Sequence, residues 1–202
     1  MNKLFLMVVM LVSLIACSPS TKLVKSWNKP GVSITKGGPN KVLVIGMVQD
    51  DAGRRVVEDQ LAKKMVNGVA SYTLIPSSKI QATTNADLTK ILHDGKYTHV
   101  VMMVLADVQD ETYYVPGTTS MSYYGGYYGY YGYGASVYST PGYYTTDKIY
   151  SVETTVYTVN PDELVWTGTT QTINPANLAR TIDDVAEVVG YEMKKTGFLK
   201  TK

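Results

Sequence analysis

The residues with which this chain of 202 amino acids could do chemistry are few and badly placed for it. Its only histidines are His93 and His99. They lie six positions apart across an expected helix-to-strand junction, with no cysteine or carboxylate at ligand spacing, so they do not form a metal site. Asp50 and Asp51 open an apolar-periodic run, where carboxylates cap a helix, and they are not read as a catalytic pair. Ser77 and Ser78 stand outside any strand-turn-helix nucleophile context. The stretch from Val44 through Gly46 to Gly53 lacks both the phosphate-loop lysine and the dinucleotide-binding glycine pattern. Asp107, Asp110 and Glu111 fall at the expected end of a central strand. That is the end where open α/β sheets bind ligands, although a solvated strand terminus is the favoured reading of them. The expectation is a protein that is not an enzyme and uses no metal and no cofactor.

Two other features carry information. Twelve of the seventeen tyrosines lie between Tyr113 and Tyr144, inside a segment, 112–146, that holds no charged residue. They cluster at Tyr123 and Tyr124, Tyr127 and Tyr128, Tyr130 and Tyr131, and Tyr133. With few aliphatic residues and many glycines, such a tract cannot build a core, so a mobile insertion is one reading. Tyrosine also offers a large, rigid surface with a hydroxyl, as binding surfaces use. The seven clustered tyrosines are therefore candidate binding residues for an envelope protein, for a second copy of the chain, or for a glycan.

The second feature is the single cysteine, Cys17. A positive start at Lys3 and an apolar run from Leu4 to Ile15 are too short to span a bilayer permanently but suit a secretory signal. Leu14-Ile15-Ala16-Cys17 resembles the bacterial lipobox, whose cysteine becomes the acylated first residue of the mature protein. An ordinary signal peptide with a chance cysteine is the alternative. Several acyl chains on one residue, palmitate among them, give stable anchoring. Ser18 after the cysteine implies, by the same resemblance, the outer membrane, with the domain facing the periplasm. Between Cys17 and Gln49 there are five lysines and no acid. They fit a solvated linker or a weak attraction to anionic headgroups. The net charge of +2 excludes a nucleic-acid binder.

The elements that position these features follow from periodicity. Val100 to Ala106 is an unbroken apolar run, read as the central strand of a sheet covered on both faces, with a buried helix as the competing reading. An aspartate at Val101 or Val104 is expected to abolish folding. Val42 to Val48 is a second buried strand. Val56, Val57, Leu61 and Met65 recur at helical spacing, with Arg54, Arg55, Glu58 and Asp59 on the solvated side and Gly68 closing the helix. Tyr72 to Ile75 is a strand, completing a parallel β-α-β unit. A short helix capped at Thr84 or Asn85 ends near Gly95. Lys148–Asn160 and Leu164–Ile173 form a hairpin, and Leu178, Ile182, Val185, Val189 and Met193 line a last helix. The segment 18–40, rich in proline and glycine, is a tether on which Trp27 docks to the domain.

Val-Leu-Val-Ile-Gly-Met after a lipobox, Arg54-Arg55-Val-Val-Glu58, the strand after Lys96-Tyr97-Thr98, and Leu164-Val165-Trp166-Thr167-Gly168 together resemble the small outer-membrane lipoproteins whose α/β domain is shared by the curli-secretion lipoprotein and the penicillin-binding-protein activators. The resemblance runs from about Lys41 to Leu199 in element order and omits the tyrosine tract. The expected organisation is a signal peptide at 1–16, a tether at 17–40, one α/β domain formed by 41–111 and 147–202, and an insertion at 112–146. The fold class is α/β, in two or three layers, with a mixed sheet in the order β-α-β-α-β, loop, β-β-α. The expected role is a non-catalytic envelope lipoprotein that binds a partner or assembles. A glycan- or peptidoglycan-binding module using the tyrosines is the alternative.

Overall fold

The computed structural model describes residues 20–48, 50–121 and 137–200. The expected signal segment and Cys17 lie outside them. Among the described residues, ten strands and three helices follow in chain order. They are β1 (Thr21–Asn28), β2 (Ile34–Thr35), β3 (Val42–Met47), α1 (Asp51–Lys64), β4 (Gly68–Ala70), α2 (Asn85–Asp94), β5 (His99–Val115), β6 (Thr118–Met121), β7 (Val137–Thr140), β8 (Tyr143–Val159), β9 (Asp162–Ile173), α3 (Leu178–Lys195) and β10 (Leu199–Lys200). Six strands make the main sheet in the order β1-β9-β8-β5-β3-β4. β3 is parallel to both β4 and β5, and the remaining pairings are antiparallel. The class is therefore mixed α/β, with three helices packed on the sheet.

Each helix starts where a side chain satisfies a free backbone N–H. Asp50 accepts from Gly53 N at 2.6 Å at α1. Thr84 and Asp87 form a reciprocal capping box at α2. Asn177 accepts from Arg180 N at 2.9 Å at α3, whose last turn carries Lys194 and Lys195 against the carboxyl-end dipole.

Successive residues of a strand point to opposite faces, and this sorts the core. Val44 and Val101 join Val57 and Leu61 of α1 and Ile182, Val185 and Val189 of α3 on one face. Their neighbours Leu43 and Val100 join Tyr97, with Leu88 and Leu92 of α2, on the other. β3 and the first half of β5 are thus covered on both sides, as a continuous apolar run implies. Trp166, fully buried, is the largest side chain in the first cluster. Gly168 lies two residues on, where a Cβ would sit 2.3 Å from Trp166 Cη2, so the indole occupies the space a side chain would need.

Several expectations are corrected. The tether is not a tether from residue 21 onward. Thr21–Asn28 is an edge strand antiparallel to β9, held by a ladder interrupted by one bulge between Leu23 and Lys25 and by Thr21 Oγ1 against Thr172 Oγ1 at 2.8 Å. The domain therefore begins near Thr21 rather than at Lys41. β1 leaves little apolar pattern in the sequence because backbone pairing, not apolar burial, holds it. Of its side chains only Thr21 is buried, and Trp27 is 47% exposed rather than docked. Lys22 and Lys25 stand on an exposed edge, where charge discourages pairing with another sheet.

Tyr72 to Ile75 is not a strand either. β4 stops at Ala70, and residues 71–73 form a 3-10 turn. The reason lies in α1, where Arg54 and Glu58 are 3% and 0% exposed rather than solvated. Glu58 accepts from Arg54 Nε at 2.9 Å, from Ser71 Oγ at 2.7 Å and from the backbone N of Tyr72 at 2.7 Å. Arg54 donates onward to Ser71 Oγ at 2.8 Å and to the carbonyl of Ile75 at 3.1 Å. An amide bonded to a buried carboxylate is lost to the ladder, so the chain turns. Gly68 does not close α1. The helix caps at Met65, Asn67 takes the left-handed conformation at φ 59°, and Gly68 opens β4.

Candidate functional site

β5 and β8 do not end with the sheet. β3 accompanies β5 only as far as Met47 opposite Val104, and β9 accompanies β8 only as far as Ile173 opposite Ile149. A bulge at Ala106, between the Leu105 and Asp107 pairings, re-aims β5 at that point. Beyond it the two strands continue as a two-stranded ribbon through Asp110–Lys148, Thr112–Thr146 and Tyr114–Tyr144 to Val115–Tyr143. β6 and β7 then pair as a further short ribbon, Thr118 with Thr140 to Met121 with Val137. Asp107, Asp110 and Glu111 therefore lie along a strand, not at its end. The uncharged segment 112–146 opens and closes as paired strands rather than as a loose insertion.

Asn174 sets the base of the ribbon. It adopts φ 46° and turns β9 away. Its backbone N donates to the Lys148 carbonyl at 2.9 Å, and its side chain accepts from Lys148 N at 2.9 Å and donates to Asp147 Oδ1 at 2.7 Å. This one residue supplies the partners that a continuing β9 would have supplied.

Directly opposed residues share a face of a ribbon. One face carries Val108 opposite Tyr150, Asp110 opposite Lys148, Thr112 opposite Thr146, and Tyr114 opposite Tyr144. The two threonine hydroxyls meet at 2.8 Å, and the two tyrosine rings stand 5.2 Å apart between centroids, tilted by 54°. Tyr114 also lies over Gly142, where a Cβ would fall 1.9 Å from its hydroxyl oxygen. The other face sets Glu111 opposite Asp147, a like-charge pair, beside Tyr113 and Tyr143. The charge of Asp147 pushes the Tyr113 hydroxyl above its ordinary pKa. Val108, Tyr113, Tyr114, Tyr143 and Tyr144 are 46–76% exposed. Among the described residues, these are aromatic and apolar side chains with no core beneath them. They form a surface that can stack, accept and donate hydrogen bonds.

The other sequence candidates fall elsewhere. His99 sits near the start of β5, with Nδ1 2.9 Å from Thr98 Oγ1, and burial pushes its pKa down. His93 is in the last turn of α2. Asp51 accepts from Ser77 Oγ and Arg55 Nε, which hold its carboxyl below the usual range. Among the described residues no three of His, Cys, Asp and Glu group to hold a metal ion, and no helix is long and apolar enough to cross a membrane. Cys17 and the tyrosines at 123, 124, 127, 128, 130, 131 and 133 lie outside the described residues. The four tyrosines at 113, 114, 143 and 144, at the base of that tract, were not singled out from sequence. Their signal was the run of strand-favouring residues Thr112-Tyr113-Tyr114-Val115 and Tyr143-Tyr144-Thr145-Thr146 on either side of the glycine-rich composition.

No family model matches the chain, and no curated protein matches its sequence. Among solved structures it is similar to the PelC dodecamer of Paraburkholderia phytofirmans, at 11% identity and a TM-score of 0.42 over 84% of this chain and 94% of that one. A single-substitution form of the same protein gives 12% identity and a TM-score of 0.44 over 88% and 99%. The lipoprotein GNA1162 of Neisseria meningitidis gives 11% identity and a TM-score of 0.40 over 78% and 99%.

Proposed function

We propose that this protein is a non-catalytic module of the cell envelope, anchored through Cys17 and binding a partner protein through the ribbon of β5 and β8. The observation that carries the reading is that two strands of a packed sheet continue past their neighbours with tyrosines exposed on both faces. Large aromatic contacts with little rotamer freedom are the kind that dominate binding energy at interfaces. The position of Ser20, the first described residue, supports a membrane-proximal partner. Ser20 accepts from Ile173 N at 3.0 Å, at the same end of the sheet from which the ribbon departs. Three residues reach at most about 11 Å, so the acylated Cys17 of this reading leaves the domain beside the ribbon.

The test replaces Tyr113, Tyr114, Tyr143 and Tyr144 together with threonine, which suits a strand and keeps every β5–β8 pairing, and compares envelope crosslinking with the wild type. Loss of a specific crosslinked protein with melting unchanged supports the reading. Retention of that partner overturns it. Loss of peptidoglycan capture, with protein capture unaffected, favours the glycan-binding alternative. Cys17→Ala tests the anchor separately, since membrane association that survives high salt and carbonate removes the lipoprotein assignment.

A further inference from the structure

At the opposite end of the sheet a cavity of about 420 Å³ opens between the β2 turn and the carboxyl end of α3. Its walls are Leu61 and Met65 from α1, Val101 and Met103 from β5, Val189 and Met193 from α3. Thr154 and His99 also line it, and the buried Thr154 hydroxyl has no hydrogen-bond partner among the described residues. A cavity of this size with mostly apolar walls belongs to the class that holds small apolar ligands.

Gly190 makes the space look reserved rather than accidental. It sits in the interior of α3 and lines the cavity, yet a Cβ there would meet no atom within 4 Å. Glycine destabilises a helix interior relative to alanine, and here no neighbour requires it. The charge at the mouth indicates the rest of the ligand. Lys36, Lys64 and Lys194 line the opening against one acid, Glu187. Lys64 is paired with Asp183 at 3.1 Å, whereas Lys36 and Lys194 have no salt bridge among the described residues. Apolar walls below and unpaired cations above fit an apolar chain headed by an anion.

We propose that this cavity binds the acyl chain of a fatty acid, with the carboxylate held at the mouth by Lys36 and Lys194. The site is separate from the ribbon and does not depend on the proposed partner binding. The experiment exposes the full chain in its membrane to a diazirine-bearing palmitate and maps the crosslinks by peptide mass spectrometry. The expected result is labelling of the peptides that contain Met103 and Met193, competed by excess palmitate. Gly190→Phe, which fills the space, should lower that labelling at least tenfold while melting no lower than wild type, and Gly190→Ala should retain it. Lys36→Glu with Lys194→Glu should weaken competition by palmitate several-fold and leave competition by hexadecanol unchanged. Labelling confined to the ribbon, or undiminished in Gly190→Phe, overturns the site. Equal competition by palmitate and hexadecanol in the wild type overturns the anionic head. Stronger competition by lysophosphatidylglycerol overturns the fatty acid in favour of a phosphate-headed lipid.

Discussion

β5 is two strands in one. Its first half, His99 to Val104, lies between β3 and β8 with helices over both faces, and Val100, Val101 and Met103 are 6%, 6% and 3% exposed. Its second half, Leu105 to Val115, keeps the same partner strand and the same antiparallel ladder, but nearly every side chain is open to solvent. Backbone pairing is common to both halves, so it is not what distinguishes a core from an arm. The difference is the third and fourth neighbours, since a two-stranded ribbon on its own is marginal in water. The bulge at Ala106 and the turn at Asn174 mark where those neighbours leave.

Substitutions on the two halves should sharpen that contrast. The largest effect is expected from Val101→Asp, which buries an unpaired carboxylate in the core and should cost several kcal/mol, enough to remove the cooperative melt. Val108→Asp on the same strand should stay within about 0.5 kcal/mol. Equal loss at both positions would mean that the arm is covered after all. The sequence alone set Val104 beside Val101, but Val104 is only half-buried at the exit from the core, so Val104→Asp should fall between the two.

Next in size is Arg54→Ala. It strands the Glu58 carboxylate in the interior, and removing one partner of a buried ion pair costs about 3–5 kcal/mol. Denaturant unfolding should show that loss. Arg55→Ala, one residue away on an exposed pair, should change stability by less than about 1 kcal/mol. Gly168→Ala comes third. Its methyl group meets the Trp166 ring at the heart of the core and should cost about 1–3 kcal/mol by the same measurement.

The smallest stability effect is one of pH. Burial lowers the His99 pKa in the folded state, so the unfolded chain takes up the proton first as pH falls. Stability should therefore be level above the ordinary histidine value of 6.5 and decline as pH drops from there through the lower folded pKa. Thermal melts of wild type and His99→Gln across pH 7 to 5 check this, because the variant should lose that part of the slope. Asp51 and Asp87 are held below the usual carboxylate range, so their stabilisation fades only at more acidic pH and leaves this window clear.

What the sequence determined by itself was what short-range pattern can carry. Unbroken apolar runs at Val42–Val48 and Val100–Ala106 announced strands covered on both faces, and the helical spacing from Leu178 to Met193 announced α3, because burial of whole faces leaves a periodic trace. The hairpin of β8 and β9 was legible for the same reason, with Asn160-Pro161 marking its turn. Tertiary structure alone decided the rest. β1 joins the sheet through its backbone and leaves almost no side-chain signature. Arg54 and Glu58 look like surface residues until Ser71, Tyr72 and Ile75 arrive to satisfy them. The Tyr113–Tyr114 and Tyr143–Tyr144 surface exists only because strands twenty-eight residues apart at their nearest ends remain paired beyond the point where their neighbours stop. Each of these rests on partners distant in sequence, and a residue's own type and spacing do not encode which distant group will meet its charge, its amide or its ring.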